Sequence, residues 1–591
     1  LGGSAYTQVS LPLNRTARTQ ESPMSTPSPS QPRGLTCLGK VISGILVLGL
    51  VALGSWIAFN QFSRTHTPPA TPPDAVTEEK TDTTFDTKGL AETQSSVPRL
   101  TAAQPYVPPA PGDVIDIELS EYAGYAGLIV ANNGLEPNND SYFAKNHHFK
   151  LRIKISEEES WSALNSGKMA ASATTADVLA VYGRQFQVVV PAQIGYSRGA
   201  DGLVVRNDIR RVNDLKGKTV AAAQFTESDF FLRYLASEAG LKIKMLPDLK
   251  TAPDADAVNL VFGEDGFAAG DLFLSAVKAN AKTVAGCVTW APKTSEIPAE
   301  SGGKAKLLVS NKNLLIVADI LIVNRGFAEK NPDKVQALVD GLLAGNKAVR
   351  DNPEANADII GKAFKWDRAK TLAELQKVHL SNLPEQIAFF RAGIKQGGSF
   401  ASIYQSAVLA YGTDLIPTPV DSDYFLSLDA LTKIEAAGAY KDQVASITPL
   451  ASGPTAPAEV DPVLSQDIRF YFEPNSSNLD MSNASNLRSL NNIKRILDVA
   501  PGSHIILVGH VDNSKIPQLR QAGGEELVRK TALEAIQLSK DRANEIKNKL
   551  GQVEKVDVKR LETVGRGWEQ PVSTSSPELN RRVEVQWFTL E

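Results

Sequence analysis

Residues 505–512 read Ile505-Ile506-Leu507-Val508-Gly509-His510-Val511-Asp512, and this stretch decides the C-terminal domain of the chain. Four apolar residues in a row, two of them isoleucine, predict a buried strand, and Gly509 marks its close. Pro501-Gly502 stands just before it and ends a preceding helix, in which Leu487, Leu490, Ile493, Ile496 and Leu497 recur at helical spacing. After the strand, residues 532–550 predict another helix, carrying Leu538-Ser539-Lys540-Asp541-Arg542-Ala543. Residues 468–472, 555–564 and 582–588 predict further strands, the last entered through Asn580-Arg581-Arg582. Strands and helices in this order make a small α+β domain.

The order of these motifs resembles the OmpA-like peptidoglycan-binding domain. Phe472, Gly509, His510, Leu538, Ser539, Ala543, Gly565, Gly567, Pro571 and Asn580 stand in family order. The resemblance implies a site for the diaminopimelate stem peptide of peptidoglycan, whose side chain ends in one ammonium and one carboxylate. Asp512 is the residue to accept from the ammonium, and Arg542 the one to clamp the carboxylate through two N–H groups. Asn475, Val511 and Arg582 match positions at or near the ligand. Three departures stand out: Val511 replaces the common Thr, Ala535 replaces an Asn, and residues 513–536 read as an unusually long loop containing Gln521-Ala522-Gly523-Gly524-Glu525-Glu526.

Upstream, the 591 residues are too many for one domain. A net charge of -4, with 22% charged residues, gives no basic surplus for nucleic acid. Two cysteines, Cys37 and Cys287, exclude a disulfide framework. Residues 1–40 are rich in Ser, Thr, Pro and Gln and predict a disordered, basic tail; the chain opens on Leu1, and Met24 is an alternative start. Residues 41–63 hold no charged residue, enough to cross a hydrocarbon core of about 30 Å, and the bulky Trp56 and Phe59 near the exit favour a retained anchor over a cleaved signal peptide. Basic residues precede the span, so the expected placement is a single pass through the inner membrane with the bulk in the periplasm. Residues 64–112 read as a Pro/Thr-rich linker, and residues 448–462 as a second, shorter one.

Between them, residues 113–447 alternate short apolar strands with amphipathic helices, the texture of an α/β domain with parallel strands. Val212-Asn213-Asp214-Leu215-Lys216-Gly217-Lys218, Ala163-Leu164-Asn165-Ser166-Gly167-Lys168-Met169 and Val284-Ala285-Gly286-Cys287-Val288-Thr289-Trp290-Ala291-Pro292 resemble phrases of the periplasmic solute-binding proteins of ABC importers, of the nitrate, sulfonate, taurine and thiamine-precursor type. That family implies a two-lobed fold closing on a small anionic or organic solute. Thr174, Thr175, Thr226 and Ser228 stand before predicted helices, whose free N–H groups attract anions; Tyr122 and Trp290 are the aromatics to pack on a ligand.

No catalytic motif is present, so the expectation is a non-enzymatic protein without cofactor. No His or Cys stands at metal-ligand spacing to His510 or to the His147-His148 pair, so no metal is expected. The fold expected is therefore α/β, a two-lobed periplasmic-binding-protein fold plus an α+β OmpA-like domain (463–591), with one N-terminal transmembrane helix. The function expected is a receptor or scaffold for inner-membrane transporter or sensor subunits, held to the wall. The alternative is a structural tether whose middle domain docks a protein.

Overall fold

The computed structural model describes residues 84–108, 114–156, 160–393, 398–445, 447, 462–473 and 476–588. The anchor read at 41–63 and Asn475 lie outside the described residues. Among the described residues no helix is long and apolar enough to cross a membrane.

Two mixed sheets and their helices make the central part. The first sheet runs in the order Val378–Leu380, Val188–Ser197, Ala318–Asn324, Ala171–Thr175, Val114–Ser120, Lys150–Ser156. The second runs Leu90–Ala91, Ala257–Gly263, Thr219–Ala223, Gly286–Thr289, Gly202–Arg206, Ala305–Ser310, with Lys242–Met245 beside Ala257–Gly263. Both differ from the all-parallel expectation. Val114–Ser120 pairs in parallel with Lys150–Ser156, but Val188–Ser197 and Ala318–Asn324 pair antiparallel. The chain leaves the first sheet after Ser197, builds the second, and re-enters at Ala318. The outgoing and returning strands therefore lie side by side and run in opposite senses. Every residue of both strands is buried, which explains why they read as continuous apolar runs rather than alternating ones.

Helices then cover the first sheet. Pro332–Asp351 crosses Ala126–Ala131 at very close range, because a Cβ on Gly345 would lie 1.9 Å from the Gly127 carbonyl oxygen. Two helices unmarked in the sequence follow: Leu383–Arg391 packs on Val188–Ser197, and Phe400–Leu415 packs on Ala176–Tyr182 of the first lobe and Glu227–Glu238 of the second.

Residues 84–108, expected as free linker, are packed along both lobes. Leu90 and Ala91 pair with Phe262 and Gly263, and Thr93 Oγ1 donates to the Leu246 carbonyl at 2.5 Å. Further on, Tyr106 is buried, and its hydroxyl donates to Asp116 and accepts from the Asp116 N–H. The proline content is compatible with this because an extended strap needs few backbone bonds of its own.

The C-terminal sheet runs Leu464–Ile468, Val583–Phe588, His504–Gly509, Leu561–Gly565, flanked by Ala484–Val499 and a long helix, Ile516–Gln552. The stretch read as a long loop is thus largely helical. It breaks only at Gly523 and Gly524, where φ of +65° at Gly524 leaves helical geometry. The glycine pair that suggested a loop is a kink between two helical segments.

Candidate functional site

Two places concentrate chemistry. The first lies at the end of His504–Gly509. A Cβ on Gly509 would sit 2.0 Å from the Ser539 carbonyl oxygen, so the strand end and the long helix meet at backbone contact. Ser539 secures the junction by accepting from the Gly567 N–H at 3.0 Å. Arg542, one turn further on, is thereby placed beside the strand exit. Its guanidinium carbon lies 4.8 Å from the Phe472 ring centre, Nη2 donates to the Ser476 carbonyl at 3.4 Å, and Nε is buried without a partner. Burial lowers the pKa of Arg542, and neighbouring Arg581 adds to this.

Asp512 is held differently from the sequence expectation. Its Oδ2 accepts from Arg581 Nε at 2.6 Å, and Oδ1 accepts from the Ser514 N–H and hydroxyl. Burial opposes its charge, but the bonds from Ser514 and Arg581 outweigh it and hold the carboxyl below the usual range. Arg581 was not among the expected ligand residues. Strand register would have found it: Gly509 pairs with Val583, and the His510 N–H donates to the Arg582 carbonyl, which brings the residue before Arg582 alongside Asp512. Asn580, almost fully buried, accepts from the N–H groups of Val572 and Ser573 and shapes this approach. Arg582 faces elsewhere with its Nε, donating to Asp467 at 2.8 Å. Val511 contributes backbone, its N–H donating to the Gly567 carbonyl. Phe472, Arg542, Arg581 and Arg582 share a recess of about 20 Å³, with His510 at its wall. His510 is the main cause holding the Glu584 carboxyl down to about 2.

The second place is a cavity of about 290 Å³ between the two lobes. The first lobe contributes Ser120, Tyr122, Tyr125, Trp161, Thr175, Tyr182, Ser197, Val317 and Asp319. The second contributes Asp201, Gln224, Phe225, Thr226, Glu227, Glu264, Asp265 and Trp290. Of the residues expected from sequence, Tyr122, Thr175, Thr226 and Trp290 line it. Thr174 and Ser228 do not: both are wholly buried, and Ser228 Oγ is 2.9 Å from Thr226 Oγ1. Thr226 acts as an N-cap, accepting from the Ser228 N–H.

Two glycines seat the aromatic walls. A Cβ on Gly124 would come within 2.2 Å of the Tyr122 ring, and one on Gly266 within 2.1 Å of the Trp290 ring. Trp290 therefore lies against the amino end of the helix Gly266–Lys278. Tyr122 and Tyr125 meet edge to face with centres 5.2 Å apart.

The cavity is acidic. Asp201 and Asp319 are 4% and 3% exposed, and Tyr125 donates to Asp319 Oδ1 at 3.5 Å. Asp177, completely buried, lies close enough to add to their repulsion. Burial pushes Asp201 up to about 6 and Asp177 up to about 7. Burial, with Asp201 next in importance, raises Asp319 well above the usual range. Sequence reasoning missed these three, since only the chain crossing between sheets brings them together. Among the described residues no group of acids, histidines or cysteines is arranged to hold a metal ion.

Comparison with known proteins follows this division. Residues 471–584 match the model of the OmpA family, and residues 140–356 match the model described as NMT1/THI5 like. A protein of Brucella abortus named as a binding protein is 22% identical over 242 residues, 41% of this chain and 68% of the relative. Outer membrane protein Omp38 of Acinetobacter baumannii is 27% identical over 146 residues, 24% of this chain and 36% of that protein. Among solved structures, the periplasmic aliphatic sulphonate binding protein SsuA of Escherichia coli aligns with a TM-score of 0.40 at 18% identity, covering 54% of this chain and 97% of its own. The chain carries an NMT1/THI5-like solute-binding domain at 140–356 and an OmpA domain at 471–584.

Proposed function

We propose that this chain is a solute receptor held at the cell wall. The two lobes take a small solute in the cleft between them, and the C-terminal domain grips the diaminopimelate side chain of peptidoglycan. The observation that carries the reading is one chain holding both a cleft lined from two lobes and, at a strand exit, an arginine-lined recess whose Arg581 is bonded to Asp512.

Beside the recess, Asp512 stays charged and offers its carboxylate to the ligand's ammonium. Arg542 offers N–H groups to the ligand's carboxylate, with its buried Nε still lacking a partner. Arg581 holds Asp512 in the unliganded arrangement and, half exposed, is able to yield that place. Residues 41–63 serve as an inner-membrane anchor that leaves both domains in the periplasm, and the receptor serves a membrane transporter or sensor. No step of bond making or breaking is involved.

Pull-down on purified sacculi tests the wall half. Asp512→Ala and Arg542→Ala should each abolish retention while circular dichroism stays that of the parent. Full retention by both variants would refute the assignment.

A further inference from the structure

We infer that the cleft is built for a small organic amine in its protonated form. This rests on the receptor reading above and names the class of its solute. Five carboxylates line the cavity (Asp201, Glu227, Glu264, Asp265 and Asp319), and among the described residues no lysine, arginine or histidine lines it. The cation on the adjoining helix, Arg233, is taken up by Asp229 at 2.7 Å and lies over the Tyr411 ring.

The second lobe is unfavourable to an anion. Its two helices that reach the cleft, Glu227–Glu238 and Gly266–Lys278, each carry an acid at the start, Glu227 in the first turn of one and Asp265 as the N-cap of the other. Asp265 already accepts from the Ala268 N–H at 2.7 Å. The amino ends that would attract an anion are therefore screened by fixed negative charge.

A second, independent feature points to a donor-bearing ligand. Asp319 Oδ2 belongs to a cavity-lining residue only 3% exposed and accepts no hydrogen bond of normal geometry. A carboxylate oxygen so far from solvent is costly unless a ligand supplies an N–H or O–H group. A protonated amine supplies both the charge and the donors. A quaternary ammonium supplies only the charge. The aromatic walls suit the rest of such a molecule: Tyr122, Tyr125 and Trp290 offer faces for a cation and apolar surface for an alkyl stem. A cavity of about 290 Å³ lies at the small end of ligand sites, which run from roughly 300 Å³ upward.

Isothermal titration of the purified full chain decides the matter, with n-butylamine, putrescine, tetramethylammonium, methanesulfonate and nitrate as probes. At least one of the two amines should bind, tetramethylammonium should bind at least about tenfold more weakly, and both anions should be silent. Asp319→Asn and Asp201→Asn should each weaken the amine by at least about tenfold while leaving sacculus retention unchanged. Binding of methanesulfonate or nitrate, with silent amines, would overturn the amine and leave the receptor reading standing. Equal binding of tetramethylammonium, or amine affinity untouched by both substitutions, would also overturn it. Silence with all five probes would overturn the amine and count against the receptor reading as well.

Discussion

The unliganded protein should lose stability as pH rises from about 5 to about 8. Asp177, Asp201 and Asp319 are buried together, with Asp177 raised to about 7, Asp201 to about 6 and Asp319 raised well above its usual range. A carboxyl whose pKa is higher folded than unfolded binds its proton preferentially in the folded chain. Its stabilising contribution is complete below the ordinary value of 3.8 and disappears as pH climbs through the folded value. At 1.36 kcal/mol per unit, Asp201 forfeits on the order of 1 kcal/mol across that window and Asp177 roughly 2–3 kcal/mol. The groups repel one another and titrate jointly, so about 3 kcal/mol is the expected order for the set. Arg233 does not cancel this, because Asp229 already claims it. The assay is the urea midpoint of the two-lobed part of the full chain, measured at several pH values and constant ionic strength. Asp177→Asn and Asp201→Asn should each flatten the profile. A midpoint that is level or climbs with pH, or a slope that neither substitution changes, would refute the argument.

Two further outcomes follow from packing. Gly345→Ala puts a methyl group 1.9 Å from the Gly127 carbonyl oxygen, so the two helices must part; a loss of about 1–3 kcal/mol is expected, read as a lowered melting temperature. Arg495→Ala leaves Glu238, 5% exposed, without its cation; because Arg495 is itself a third exposed and Glu238 can take up a proton, a loss of roughly 1–3 kcal/mol is expected. Calorimetry should show the C-terminal domain melting earlier in that variant, and an unchanged transition would contradict the role of the pair.

The C-terminal domain was legible because its signals are local. The apolar run at 505–508, the Pro501-Gly502 stop and the Asn580-Arg581-Arg582 entry each act within a few residues. The cleft was half legible. Tyr122, Thr226 and Trp290 could be picked as an aromatic or an N-cap residue, but Asp201 and Asp319 meet only because the chain crosses from one sheet to the other and back. No spacing rule encodes that. The strap at 84–108 was misread for a related reason. Proline-rich composition reports the lack of regular backbone pairing, whereas Tyr106 and Leu90 dock through contacts with residues far along the chain. The expectation of a small anionic or organic solute came from helix starts, where Glu227 already stood against an anion in the sequence. The second acid, Asp265, was not legible as a cavity residue, because only the fold brings the start of Gly266–Lys278 to the cleft.

The placement of the C-terminal domain bears on how a two-lobed receptor could work while attached at its far end. Lobe closure needs rotation about the chain crossings at 198–201 and 311–317. The domain is stitched to the second lobe: the Val212 N–H donates to the Val463 carbonyl, and Asn213 both accepts from the Ser465 N–H and donates to its carbonyl. Arg495 reaches the buried Glu238 on the lobe helix that begins at the cleft. The same domain touches one crossing directly, since the Leu315 N–H donates to the Val499 carbonyl at 2.7 Å. The strap ties the lobes from the other side. Gln94 exchanges two hydrogen bonds with the cavity residue Gln224 on the second lobe, and the Leu100 N–H donates to Gln185 on the first. Any rotation of one lobe against the other therefore also involves residues 95–99 or the Gln94–Gln224 pair. In the proposed reading, a wall attachment that fixes the second lobe would leave the first lobe to move. Ligand affinity in such a molecule depends on how both ends are held as well as on the residues that line the cavity.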